Sequence, residues 1–106
     1  MMYVLDLNKM KKIKILIPVY NDWQSLSKLL NNIDKETENL NHEISIIIVD
    51  DASNFDRQLD TKKISNINSI KVLKMRENRG HARCIATGLK FIFEKEEFDY
   101  VIPMDG

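Results

Sequence analysis

Cysteine, proline and glycine are scarce in this chain, with one, two and three respectively among 106 residues. The lone Cys84 excludes an internal disulfide framework and a Cys-rich zinc site, and it fits a reducing compartment. With no second Cys and no catalytic Cys signature around it, Cys84 reads as a small buried helix residue. Charge of one sign is missing too: 16 Lys and Arg balance 16 Asp and Glu, for a net charge of +0. That removes the broad basic field on which nucleic-acid binding commonly rests, so no nucleic-acid partner is expected. No window approaches the roughly 20 consecutive apolar residues of a membrane span. The apolar stretch within residues 1–10 is short and broken by Asp6, Asn8 and Lys9. It does not make a signal peptide, and a cytoplasmic location is expected. Gly/Ser linkers, low-complexity tracts and internal repeats are absent as well.

What is present is a 43% hydrophobic, 30% charged composition, that of a globular protein with an affordable core. The length suits one small unit, here a ragged flank over 1–11 followed by a continuous domain over 12–106. Lys11 to Lys14 reads as a solvated basic flank. Residues 13–19 are β-branched and end in Pro18 and Asn21-Asp22, the signature of a strand running into a loop. Leu26, Leu29, Leu30 and Ile33 then fall at helical spacing. Asn21 and Gln24 form a candidate capping box, and Trp23 reads as a packing residue at the helix start. Residues 44–49 are nearly all apolar, as in a strand buried on both faces of a parallel sheet. A polar stretch over 52–68 carries a weak helical stripe through Leu59, Ile64 and Ile67, and a short strand fits 70–74. Ala82, Ile85, Ala86, Leu89, Ile92 and Phe93 mark a three-turn helix, with Asn78 as its candidate N-cap and Gly88 letting it sit close to the sheet. Residues 99–104 read as a fourth strand. The order expected is therefore β-α-β-α-β-α-β, a parallel α/β sheet built by right-handed crossovers.

In such sheets ligands bind beyond the carboxyl ends of the strands. The polar residues gather there: residues 18–22 after the first strand, Asp50-Asp51-Ala52-Ser53 after the second, Asn78-Arg79-Gly80-His81 after the third and Asp105 after the fourth. Strand-end carboxylates can bind a base or ribose, hold a divalent metal or act as general bases, and Asp-Asp-Ala-Ser alone is also a good turn. Four polar ends on one edge favour chemistry over turn-making. Neither a G-x-G-x-x-G nor a G-x-x-x-x-G-K-[ST] loop follows the first strand, which excludes the dinucleotide-binding and P-loop readings. The acidic pair follows strand two rather than strand one, against a phospho-acceptor receiver.

Four segments together resemble the successive motifs of glycosyltransferase family 2. They are Lys14-Ile-Leu-Ile-Pro-Val-Tyr-Asn21, Ile46-Ile-Ile-Val-Asp-Asp-Ala-Ser53, Asn78-Arg-Gly-His-Ala-Arg-Cys-Ile-Ala-Thr-Gly-Leu89 and Tyr100-Val-Ile-Pro-Met-Asp-Gly106. The resemblance implies a Rossmann-like three-layer α/β/α arrangement, the N-terminal half of a GT-A fold, with about four parallel strands in the order 3-2-1-4. It implies that Pro18 and Tyr20 line a nucleotide pocket, that Asp51 accepts a hydrogen bond from a uracil-type or guanine-type base, and that Asp50 holds the loop. Arg83 would face the diphosphate, and Asp105 would open the Asp-x-Asp motif, touching ribose or a Mg²⁺ or Mn²⁺ ion. The donor implied is a UDP- or GDP-linked sugar. Gly80-His81 is similar to members that transfer to polyprenyl phosphates, so a lipid phosphate or a glycan is the implied acceptor. Ala86 stands where many relatives carry Asn, which removes any contact from that side chain.

The same resemblance sets expectations about what this stretch does alone. The second carboxylate of the Asp-x-Asp motif and the acceptor half lie beyond residue 106, so no catalytic residue is assigned within the chain, metal binding should be weak and transfer by the chain alone is not expected. Membrane association would come through absent C-terminal parts or a lipid-linked acceptor, at the inner face of the membrane in a full-length parent. The fourth strand should be an exposed apolar edge prone to self-association. The alternative reading is a non-catalytic, degenerate nucleotide-binding or interaction module.

Overall fold

The computed structural model describes residues 2, 9–54 and 59–105; most of the flank expected over 1–11 and Gly106 of the last motif lie outside them. The described elements run β1 (Lys12–Val19), α1 (Trp23–Glu36), β2 (Glu43–Asp50), β3 (Ser69–Lys74), α2 (His81–Lys95) and β4 (Tyr100–Pro103). The four strands form one parallel sheet in the order β3-β2-β1-β4. The expected strand order 3-2-1-4 is the one observed, and each strand boundary lies within one residue of its expected position.

Alternation along β1 and β2 sends side chains to both faces, and a helix covers each. Ile15, Ile17 and Val19 of β1 join Ile44, Ile46 and Ile48 of β2 beneath Trp23, Leu26, Leu30 and Ile33 of α1. Leu16, Ile47 and Val49 face the other way, against Cys84 and Ile92 of α2. This is the three-layer arrangement, and both central strands are buried almost end to end. At Gly88 α2 packs directly on the sheet: a Cβ there would lie 2.3 Å from Leu16 Cδ1 and 3.0 Å from Leu16 Cδ2. Leu16 is fully buried and has little room to turn aside. Gly88→Ala is therefore expected to destabilise the fold by about 1–3 kcal/mol through overpacking, outweighing the helix preference of alanine. Urea unfolding measures it, and a variant as stable as its parent would mean that Leu16 repacks without cost.

Four local expectations need correction. The stretch over 52–68 is not a helix at its described residues; 55–58 lie outside them. Instead Asp34 of α1, 6% exposed, takes the amides of Ser65, Asn66 and Ile67 on its carboxylate at 2.7–3.1 Å, which pins an irregular chain and buries Ile67. The N-cap of α1 is Asp22, whose Oδ1 accepts from Ser25 N at 3.2 Å, one residue later than the Asn21-Gln24 box. The N-cap position of α2 is Gly80 rather than Asn78. Finally Lys14 is not a solvated flank residue. It is 8% exposed, because its place in β1 turns it toward α2, where its ammonium lies 3.9 Å from Glu96, itself bonded to Lys71.

Candidate functional site

The chain proceeds outward from β1 to β2 and β3, then crosses back to place β4 on the other side of β1. Strand order therefore reverses at β1, and a crevice opens beyond the strand ends there. Two adjoining cavities occupy it. One, of about 270 Å³, is lined by Pro18, Val19, Tyr20, Asp51, Asn78, Gly80, His81 and Cys84. The other, of about 200 Å³, shares Pro18, Val19, Tyr20 and His81 and adds Asp22, Leu26 and Asp105. Four of the five residues singled out from sequence thus converge on one crevice. Arg83, exposed on the first turn of α2, lines neither cavity.

The two aspartates after β2 hold different things. Asp50 Oδ1 accepts from Ser53 N at 3.0 Å and from Ser53 Oγ at 2.6 Å, closing the turn beyond the strand. Asp51 is 5% exposed and reaches across to the next crossover, where Oδ1 accepts from Arg79 N at 2.8 Å and Oδ2 from Gly80 N at 2.9 Å. It supplies from a neighbouring strand the anionic cap that α2 lacks in its own sequence, beside the positive end of the helix dipole. Of the four lone-pair directions on the two oxygens, the amides take two and the Cys84 thiol a third, which leaves one for a donor in the cavity. Cys84 Sγ lies behind it, and burial first, then the hydrogen bond and charge of Asp51, push the thiol pKa up to about 11. The thiol stays protonated at neutral pH, which agrees with a packing role and not with a nucleophile.

The β1 and β2 turns are laced together. Asn21 sits at φ 60° and Ala52 at φ 60°, left-handed conformations that asparagine tolerates and alanine resists. Asn21 N donates to Ser53 Oγ at 2.9 Å, Asn54 N to Asn21 Oδ1 at 2.6 Å, and Asn54 Nδ2 to the Tyr20 hydroxyl at 3.2 Å. None of Asn21, Ser53 and Asn54 was singled out as a site residue. The signal available in sequence was their position, short polar side chains at the ends of two apolar strands that run side by side.

At the far end of the crevice Asp105 is exposed and meets His81 Nε2 at 2.5 Å. Its carboxylate is a hard oxygen donor of the kind Mg²⁺ and Mn²⁺ take. No cluster of three or more His, Cys, Asp or Glu able to hold a metal exists among the described residues. Asp105 offers one such donor, already paired with His81, and the other positions of a bound ion would have to be filled from outside the described side chains. No described helix is long and apolar enough to cross a membrane.

Residues 14–106 match the family described as glycosyl transferase family 2. The chain is 31% identical over 99 residues to undecaprenyl-phosphate 4-deoxy-4-formamido-L-arabinose transferase of Proteus mirabilis (strain HI4320), covering 92% of this chain and 29% of that protein. It is 33% identical over 97 residues to the protein of the same name from Pseudomonas savastanoi pv. phaseolicola (strain 1448A / Race 6), covering 90% and 28%. Against dolichol-phosphate mannosyltransferase of Pyrococcus furiosus (strain ATCC 43587 / DSM 3638 / JCM 8422 / Vc1) it is 29% identical over 94 residues, covering 89% and 25%. The chain thus spans between a quarter and three tenths of the length of these relatives. A match running from the first strand to the end of the chain, over a parallel sheet with its polar residues on one edge, makes this chain a member of glycosyl transferase family 2.

Proposed function

We propose that this chain is the donor-binding portion of a glycosyltransferase that moves a sugar from a nucleotide-diphosphate sugar, UDP- or GDP-linked, to a polyprenyl phosphate. The observation that carries the reading is the two-part crevice at the strand-order reversal, with the buried Asp51 carboxylate at one end and the exposed Asp105 carboxylate at the other. A nucleoside diphosphate has matching chemistry, with N–H donors on its base and a metal-seeking diphosphate. Asp51 would accept from the base, Pro18 and Tyr20 would form the apolar wall beside it, and Asp105 would meet the ribose or one Mg²⁺ or Mn²⁺ ion. When bound, that ion would supply Lewis-acid neutralisation of the diphosphate. Arg83 would approach the diphosphate from the first turn of α2. The acceptor class rests on the names of the relatives, all of which carry a polyprenyl phosphate; such an acceptor would bring the reaction to a membrane, and the cytoplasmic face is the side proposed. The test is a calorimetric titration with UDP and GDP in the presence of Mn²⁺. Weak binding that Asp51→Ala removes is expected, and binding indifferent to that substitution would rule out the base-reading role.

Self-association is proposed with it. Among the described residues β4 is an edge strand bonded to β1 alone, and Tyr100 and Ile102 on it are exposed, as is Phe93 of α2. Such an edge offers unpaired backbone groups beside apolar side chains, broken only by Pro103. Light scattering at high concentration should show oligomers, and a monodisperse monomer would count against the proposal.

A further inference from the structure

Tyr20 occupies a particular place in the crevice: with Pro18, Val19 and His81 it lines both cavities, so its ring stands where the Asp51 end meets the Asp105 end. Tyr20 is 46% exposed and follows directly on the end of β1, so packing alone does not hold its ring. Its hydroxyl is held by Asn54 Nδ2. Asn54 is fixed in turn by its own backbone amide on Asn21 Oδ1, Asn21 by its amide on Ser53 Oγ, and Ser53 by the buried Asp50. A continuous line of hydrogen bonds therefore runs from a buried carboxylate, through two turns, to an exposed aromatic ring.

We propose that Asn54 is a positioning residue that holds the Tyr20 ring between the Asp51 and Asp105 cavities, and that this sets the affinity of the crevice for a nucleoside diphosphate. The inference rests on the nucleotide reading above and deepens it. Asn54 reaches Tyr20 across the turn and lines neither cavity. Its effect is preorganisation. A half-exposed tyrosine left free samples several rotamers, and ordering it on binding costs affinity that a ring already in place does not lose.

The test is a double-mutant cycle on nucleotide affinity, with UDP and GDP plus Mn²⁺ as probes and binding followed by amide chemical shifts. Asn54→Ala removes the donor, and Tyr20→Phe removes the acceptor while keeping the ring. Each is expected to weaken binding about three- to fivefold, the scale of one exposed hydrogen bond. The double variant should be no weaker than either single one, because both remove the same bond. Melting temperatures should stay within about 2 °C of the parent, since both side chains are exposed or half-exposed. Asn54→Ala without effect, or losses that multiply in the double variant, would overturn the positioning role while leaving the nucleotide reading intact. A parent chain that binds neither UDP nor GDP overturns that reading itself, and the inference falls with it.

Discussion

Asp51→Ala is expected to lower the affinity for UDP or GDP at least tenfold and, separately, to destabilise the fold by about 2–4 kcal/mol. The first effect follows from losing a charged acceptor facing the base, since hydrogen bonds to ionised groups contribute about 1.5–3 kcal/mol. The second follows from the two amides, Arg79 N and Gly80 N, that Asp51 satisfies at the entry of α2. A part-buried donor left without a partner costs about 1–3 kcal/mol. The two effects are separable. Tyr20→Ala removes apolar wall from the same crevice without touching the α2 entry, so it should weaken nucleotide binding with little change in urea midpoint. Asp51→Asn keeps one acceptor oxygen but turns an NH₂ toward a backbone N–H that is left without an acceptor, and should fall between the parent and Asp51→Ala in stability. If Asp51→Ala unfolds the chain and Tyr20→Ala leaves affinity unchanged, Asp51 is a structural cap and the crevice does not read a base.

The double duty of Asp51 also explains what was legible in the sequence and what was not. Strand and helix positions follow from local patterns, and so does the edge on which polar residues collect, because each motif sits at the end of an apolar run. Pro18, Tyr20, Asp51 and Asp105 meet in the crevice for that reason. The misreadings all involve partners distant in sequence. Asn78 looked like a cap because Asp51, 29 residues before Gly80, is invisible in a local window. Asn21 looked like a cap because nothing in its neighbourhood reveals that Asn54 draws its side chain away. Lys14 looked solvated because its run of lysines is basic, whereas its register in β1 faces it toward Glu96 at the far end of α2. The stripe of Leu59, Ile64 and Ile67 does pack on the core, yet without a helix. Asp34 takes the amides of residues 65–67, and a helix there would have competed for the same groups.

Asp34 carries the second large expected effect, and it depends on pH. The carboxylate is buried against the residues it binds, and burial by itself would push its pKa up; the amides of Ile67, Ser65 and Asn66 together overcome that and leave it below the ordinary carboxylate value. The native state therefore holds the ionised form more tightly than the unfolded chain does. Its stabilisation is complete above the unfolded value, near 3.9 for aspartate, and is lost as pH falls through the lower native value. Asp34→Ala leaves three amides without an acceptor and should cost about 2–4 kcal/mol at neutral pH. Asp34→Asn keeps an oxygen in place but gives up the charge, so it should cost less and remove the acid dependence due to this group. The stability gap between parent and Asp34→Asn, measured by urea unfolding from pH 7 downward, should hold constant to about pH 5 and then close in more acid solution. A gap that persists unchanged into strong acid would mean that the three amides bind oxygen and are indifferent to its charge. The consequence would reach the crevice only indirectly, since Asp34 ties the segment before β3 to α1 on the face of the sheet opposite α2. Loss of nucleotide binding in Asp34→Asn at neutral pH would therefore contradict the separation of scaffold and site on which the reading of Asp51 depends.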